Sequence, residues 1–202
     1  MSDLFNHTIK NPDPARRCIQ LGWIAIALLA SISPASNADA ATISHRNPKS
    51  GLMTWTNVKD GFSLSLQQLT PDNVRAIYEG MGASSANVDR IAGYCVFGTD
   101  ARNNAKSPIK YNVATWRAVT ADHTRHRLRS KRGWQRIWSA EGVDYGFTIF
   151  PAQQTFQPGD WGEGFTTIKL KPGTRFNLLY HWIDHGHIHT ATLRHLQCAE
   201  GT

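Results

Sequence analysis

Residues 147–196, FTIFPAQQTFQPGDWGEGFTTIKLKPGTRFNLLYHWIDHGHIHTATLRHL, decide the class of fold. Two Pro-Gly signals, Gln157-Pro158-Gly159-Asp160 and Lys171-Pro172-Gly173-Thr174, cut the stretch into short runs rich in aromatic and β-branched residues. Residues 147–156 and 165–170 read as strands joined by the first turn. Residues 176–183 and 187–196 read as a terminal hairpin. Strands at this spacing, without alternating helices, predict antiparallel pairing rather than βαβ units.

Working outward, residues 62–69 (FSLSLQQL) alternate apolar and polar at period two, the mark of a half-buried strand. Thr70-Pro71-Asp72 then opens a helix, with Thr70 as cap and Pro71 in the first turn. That helix is expected to run to Tyr78, and a second from Ser84 or Ser85 to Ile91. Residues 94–101 and 109–119 read as strands, joined by a turn at 103–108. In WQRIWSA (134–140), Trp134, Ile137 and Trp138 fall on one helical face. The fold class expected is mainly β: an antiparallel immunoglobulin-like β-sandwich with short helical insertions, over residues 62–199. Residues 41–61 read as a flexible lead-in with one short strand near 52–56.

Residues 21–32 (LGWIAIALLASI) are uncharged and apolar, but shorter than the roughly 20 residues that cross a bilayer as a helix. Arg16 and Arg17 precede the run and Ala38-Asp39-Ala40 follows it. This is the layout of a signal peptide, residues 1–40, cleaved after Ala40; the alternative is an uncleaved anchor helix. Ala15-Arg16-Arg17-Cys18-Ile19 resembles a twin-arginine signal, but Gln20 departs from it, so general secretion is the preferred route to the periplasm. The whole chain carries 22 Lys and Arg against 15 Asp and Glu, a formal charge of +7. Residues 1–40 contain as many acids (Asp3, Asp13, Asp39) as bases (Lys10, Arg16, Arg17), so the mature chain keeps that surplus. Cys95 and Cys198 remain. An oxidising compartment favours pairing them, which closes a loop of about a hundred residues and contributes on the order of 4 kcal/mol. Two buried free thiols are the alternative.

Site chemistry concentrates in Tyr180-His181-Trp182-Ile183-Asp184-His185-Gly186-His187-Ile188-His189. Neutral imidazoles ligate copper and zinc, and residues two apart on a strand share a face. Two registers are open. A two-residue His185-Gly186 loop puts His181 on the face opposite His187 and His189. A three-residue loop gathers all three, with Asp184 or His185 beside them. The candidate metal set is therefore His181, His185, His187 and His189, and the plainer reading is four solvated side chains at a hairpin tip.

Arg117, His123, Arg125, His126, Arg127, Arg129, Lys131, Arg132 and Arg136 make a dense basic stretch, followed by Trp134 and Trp138. Arg125, Arg127, Arg129, Lys131, Arg132 and Trp134 are the candidate partner contacts. An acidic envelope or redox protein, or an anionic membrane surface, fits such a stretch, and a solvated loop is the plainer reading. Nucleic acid is not expected for an exported chain. Phe156 and Trp161 flank a Pro-Gly turn and read as aromatics packed over the sandwich end, or as a ligand platform.

Catalytic motifs are wanting. No G-x-S-x-G elbow, C-x-x-C-H haem attachment or Gly-rich phosphate loop occurs. Asp144, Asp160, Glu163 and Asp184 have no spacing that marks a carboxylate pair. No catalytic residue is assigned, and a hydrolase is the distant alternative. The function expected is a non-enzymatic binding or accessory protein that docks through a basic face. A periplasmic copper or zinc binder using the hairpin is the second reading.

YCVFGTDARN (94–103), FPAQQTFQPGDW (150–161), KPGTRF (171–176) and the terminal Leu196-Gln197-Cys198 resemble a group of small exported β-rich proteins of Gram-negative bacteria, a group with no assigned activity. The likeness covers most of residues 62–198. It implies export, a single β-rich domain and one disulfide. It transfers no catalytic or metal residue, and the histidine-dense tip has no counterpart in the group's pattern.

Overall fold

A computed structural model describes residues 40–201. The expected signal peptide, apart from Ala40, lies outside the described residues. The strands are β1 (Ile43–Arg46), β2 (Met53–Lys59), β3 (Phe62–Leu69), β4 (Cys95–Asn103), β5 (Ile109–Asn112), β6 (Arg117–Thr120), β7 (Arg125–Arg127), β8 (Gln153–Phe156), β9 (Trp161–Ile168), β10 (Arg175–Asp184) and β11 (His187–Gln197). The helices are α1 (Pro71–Gly80), α2 (Ser85–Ala92) and α3 (Lys131–Ala140). The described chain is thus mainly β, with two antiparallel sheets. One has the order β1-β2-β3-β4-β9 and the other β7-β6-β10-β5-β8, with β11 on the far edge of β10.

Alternation builds the core between the sheets. Phe62, Leu64 and Leu66 point inward from β3, and Phe176, Leu178, Tyr180 and Trp182 point inward from β10. They meet ring to ring, with Phe62 lying 5.1 Å from Trp182 and 6.2 Å from Tyr180. A second apolar cluster lies on the other face of the first sheet. There α1, α2 and α3 bury Val74, Tyr78, Ile91, Trp134 and Trp138 against Val96. The helices form where their caps predict. Thr70 accepts from the backbone N–H of Asn73, whose side chain returns the bond, a reciprocal cap. Ser84 and Ser130 cap the other two.

Several expectations are corrected. Residues 41–61 form two strands rather than a flexible lead-in: β1 pairs with β2, β2 pairs with β3, and Trp55 is buried in the core. The single strand expected over 109–119 is two. A 3-10 turn, Val113–Thr115, separates β5 from β6, yet both halves lie antiparallel along β10. Buried Val113 anchors the break. Residues 147–148 are not strand but part of a 3-10 turn, Gly146–Thr148, where Asp144 accepts the Gly146 N–H at 2.7 Å. The residues after it cover the edge of β9, where Ile149 bridges to Phe165.

The Pro-Gly turns do not close hairpins. Gln157–Asp160 carries the chain from β8 in the second sheet to β9 in the first, and 171–174 carries it back to β10. Buried Asn103 ties the start of the first of these crossings to the 103–108 turn. Its amide donates to the carbonyls of Ser107 and Phe156 at 2.8 and 2.9 Å and accepts from the Ala105 N–H. The disulfide is present. Cys95 opens β4 of the first sheet and Cys198 follows β11 of the second, with Cα atoms 5.2 Å apart.

Candidate docking surface

Register decides which side chains each sheet turns outward. On the second sheet, Phe176, Leu178, Tyr180 and Trp182 face the core, so Arg175, Asn177, Leu179, His181 and Ile183 face away from it. Pairing carries that face across the sheet. Leu179 lies opposite Arg117, Arg117 opposite Arg127, Val119 opposite Arg125, and Ile183 opposite Lys110. Lys110, Arg117, Arg125, Arg127 and Arg175 therefore share one face. No Asp or Glu stands at any strand position of that face among the described residues. The nearest acid in sequence, Asp122, sits in the β6–β7 turn. It accepts from the hydroxyls of Thr120 and Thr124, bonds that hold its carboxyl down at about 2.

The basic stretch is thus divided by the fold. Arg125 and Arg127 are exposed on the edge strand β7. Arg129 turns away: it donates to the Tyr94 hydroxyl at 3.0 Å and lies over the rings of Tyr94 and Trp134. Lys131 and Arg132 open α3. Trp134 is not a surface contact; it is 0% exposed and donates through Nε1 to the Thr167 hydroxyl at 2.8 Å. The signal that could have found this is its spacing with Ile137 and Trp138 on one helical face. Lys110, Arg117 and Arg175 join Arg125 and Arg127 from distant positions, so only pairing finds them as one group.

The histidine hairpin adopts the two-residue loop. Asp184 pairs with His187, Trp182 with His189 and His181 with Thr190. His185 and Gly186 take φ of 47° and 80°, the two left-handed residues that a tight hairpin of this hand requires. His181 therefore faces away from His187 and His189, and the expected triad is not assembled. His189 is engaged elsewhere. Its ring stacks 5.4 Å from Trp182, and its Nδ1 lies 3.0 Å from the Asp60 carboxylate. Among the described residues no group of three His, Cys, Asp or Glu is arranged to hold a metal ion. Outward-facing His181 sits below its usual pKa, first through burial and then through the charge of Arg117.

The aromatics at the first Pro-Gly turn separate. Phe156 is fully buried, while Trp161 is half-exposed on the outer face of the first sheet beneath Arg102. Three of the four carboxylates weighed for catalysis serve turns or strand ends. Asp144 accepts from Gly146, Asp160 from the Gln157 N–H and Asp184 from the Ser107 hydroxyl, each at 2.7 Å. Glu163 lies opposite Asp100. That pair borders a groove of about 470 Å³ on the first sheet, walled by Met81 and Phe147.

No family model matches the chain. No curated protein matches it. A solved structure of a candidate lipoprotein from Bacillus subtilis matches with a TM-score of 0.37 and 8% sequence identity, over 77% of this chain. The match spans 39% of the length of that protein.

Proposed function

We propose that this chain is an exported, non-enzymatic accessory protein of the bacterial envelope that docks on an acidic partner through the outer face of its second sheet. One observation carries the reading: five basic side chains, Lys110, Arg117, Arg125, Arg127 and Arg175, share that face with no carboxylate at its strand positions. An immunoglobulin-like arrangement of the sheets, a cleaved signal peptide and a periplasmic location belong to the same reading. Charges of one sign on a flat sheet steer an oppositely charged partner and set orientation more than they add affinity. Short β7 suits this use, because a charged edge strand resists pairing with other chains.

Poly-L-glutamate serves as the probe of an acidic protein surface. Its affinity for residues 41–202 is expected to fall steeply between about 0.05 and 0.3 M salt, as the screening length shortens. The charge reversal R117E/R125E/R127E should abolish binding, and H187A/H189A should leave it unchanged. Salt-independent binding, or an unaffected triple variant, would refute the proposal.

A second reading, an anionic membrane surface, is favoured by one feature. Ile183 and Ile188 face each other on the same outer face at the hairpin tip, 40% and 72% exposed. Apolar tips beside basic residues insert into headgroups. Sedimentation with phosphatidylglycerol vesicles that is lost in I183S/I188S, while poly-L-glutamate binding persists, would replace the protein partner with a membrane.

A further inference from the structure

Where β10 and β11 pair, the register slips by one residue between Phe176 and Leu178. Phe176 lies opposite Leu196 and Leu178 opposite Leu193, so Arg194 and His195 together oppose Asn177. This is a β-bulge, and bulges re-aim side chains. His195 takes φ of 60°, a left-handed conformation that costs a non-glycine residue energy, and its N–H is held by the Asn177 side chain at 2.9 Å. The bulge places His195 on the wall of a cavity of about 430 Å³ at the margin of the two sheets. Arg46 of β1 and Arg175 of β10 line the same cavity, while Met53, Trp55 and Phe176 supply apolar lining.

The electrostatics are one-sided. No Asp or Glu lines the cavity, and neither arginine forms an ion pair among the described residues. Arg46 donates one Nη1 bond to the Gly51 carbonyl at 2.6 Å, which steadies the guanidinium and leaves other donors of its fork to a ligand. The size lies within the range of small-molecule sites, which pair apolar walls with a few convergent polar groups.

We infer that this cavity binds a small amphipathic anion: a carboxylate or phosphate group held by Arg46, Arg175 and His195, with an apolar body against Trp55 and Phe176. Guanidinium groups suit both anions, because their planar forks donate two parallel bonds. The cavity shares Arg175 with the basic face, and the two proposals are told apart by Arg46 and His195 on one side and Arg117, Arg125 and Arg127 on the other.

The test is isothermal titration of residues 41–202 with octanoate, phenyl phosphate, inorganic phosphate and the uncharged amphiphile octyl glucoside. Octanoate or phenyl phosphate should bind, and more tightly than either control. R46Q and R175Q should each weaken binding roughly tenfold or more, the usual loss for a hydrogen bond to a charged group. R117Q/R127Q should leave it unchanged, separating the cavity from the basic face. Both arginines are at the surface, so the variants keep the fold. Tighter octanoate binding assigns a lipid-derived acid as the source, and tighter phenyl phosphate a soluble phosphate ester. Absence of binding for both anions at about 1 mM, equal binding of octyl glucoside, or unchanged affinity in R46Q/R175Q overturns the inference.

Discussion

Arg117 shows how much of one side chain's role comes from its neighbours. Its Nη1 donates to the carbonyls of Ala114 and Trp116 at 2.7 Å each, which pins the guanidinium over the 3-10 turn between β5 and β6. From there it opposes the protonation of His181, whose burial already favours the neutral ring. The folded protein therefore binds a proton at His181 less readily than the unfolded chain. The stability linked to this group is full above the ordinary histidine value of 6.5 and is lost as pH falls below it. An NMR titration should find the His181 midpoint below 6.5. R117A should raise it part of the way back, since burial is the larger cause. A midpoint indifferent to R117A would show that the two side chains do not interact across this face.

Two hairpins carry the same local solution in different surroundings. Asp60-Gly61 joins β2 to β3 and His185-Gly186 joins β10 to β11, and all four residues have positive φ. A Cβ at Gly61 would meet the Ala105 Cβ at 2.5 Å, whereas one at Gly186 would meet nothing within 4 Å. G186A is expected to cost about 1 kcal/mol, the backbone penalty alone. G61A adds an overpacked contact and should cost about 2–4 kcal/mol. Urea unfolding of the two variants tests this, and equal losses would contradict it. The elements legible in the sequence were those ruled by near neighbours: the Thr70 cap, the alternation of β3, the helical face of α3 and the final hairpin. The break at Val113–Thr115 was not legible, because Tyr111, Val113 and Val119 suit a continuous strand equally well. The three-residue interruption shows only when β5 and β6 are both laid along β10.

Covalent and polar ties join the two sheets around their apolar core. The Cys95–Cys198 bond links the start of β4 to the residue that follows β11 across 103 residues. Removing it by C95A/C198A should lower stability by about 4 kcal/mol, measured by urea unfolding against the oxidised protein. A loss below about 1 kcal/mol would mean that the apolar core alone constrains the ends. Buried polar pairs add specificity: the Tyr180 hydroxyl donates to Asn57 at 2.8 Å, and Asn57 in turn holds the carbonyl of Ala40. The two outer faces differ in character. The second sheet presents basic side chains, while the first carries the helices, the Asp100–Glu163 pair and the half-exposed Trp161.

Composition, period-two alternation, turn chemistry and capping were enough to establish a mainly β chain, its helices and its terminal hairpin, and Cys95 and Cys198 were an expected pair that the fold joins. The elements among these depend on residues a few positions apart. The partition of strands between sheets was beyond their reach. A Pro-Gly turn looks the same whether the next strand pairs with its predecessor or crosses the core, and here Gln157–Asp160 crosses. The basic face was half legible for the same reason. Arg125 and Arg127 lie in the basic run, but Lys110, Arg117 and Arg175 join them only through strand pairing, while Arg129 and Trp134 are drawn inward by Tyr94 and Thr167. The histidine hairpin turned on a single residue of loop length, and in a strand a shift of one residue reverses every side chain.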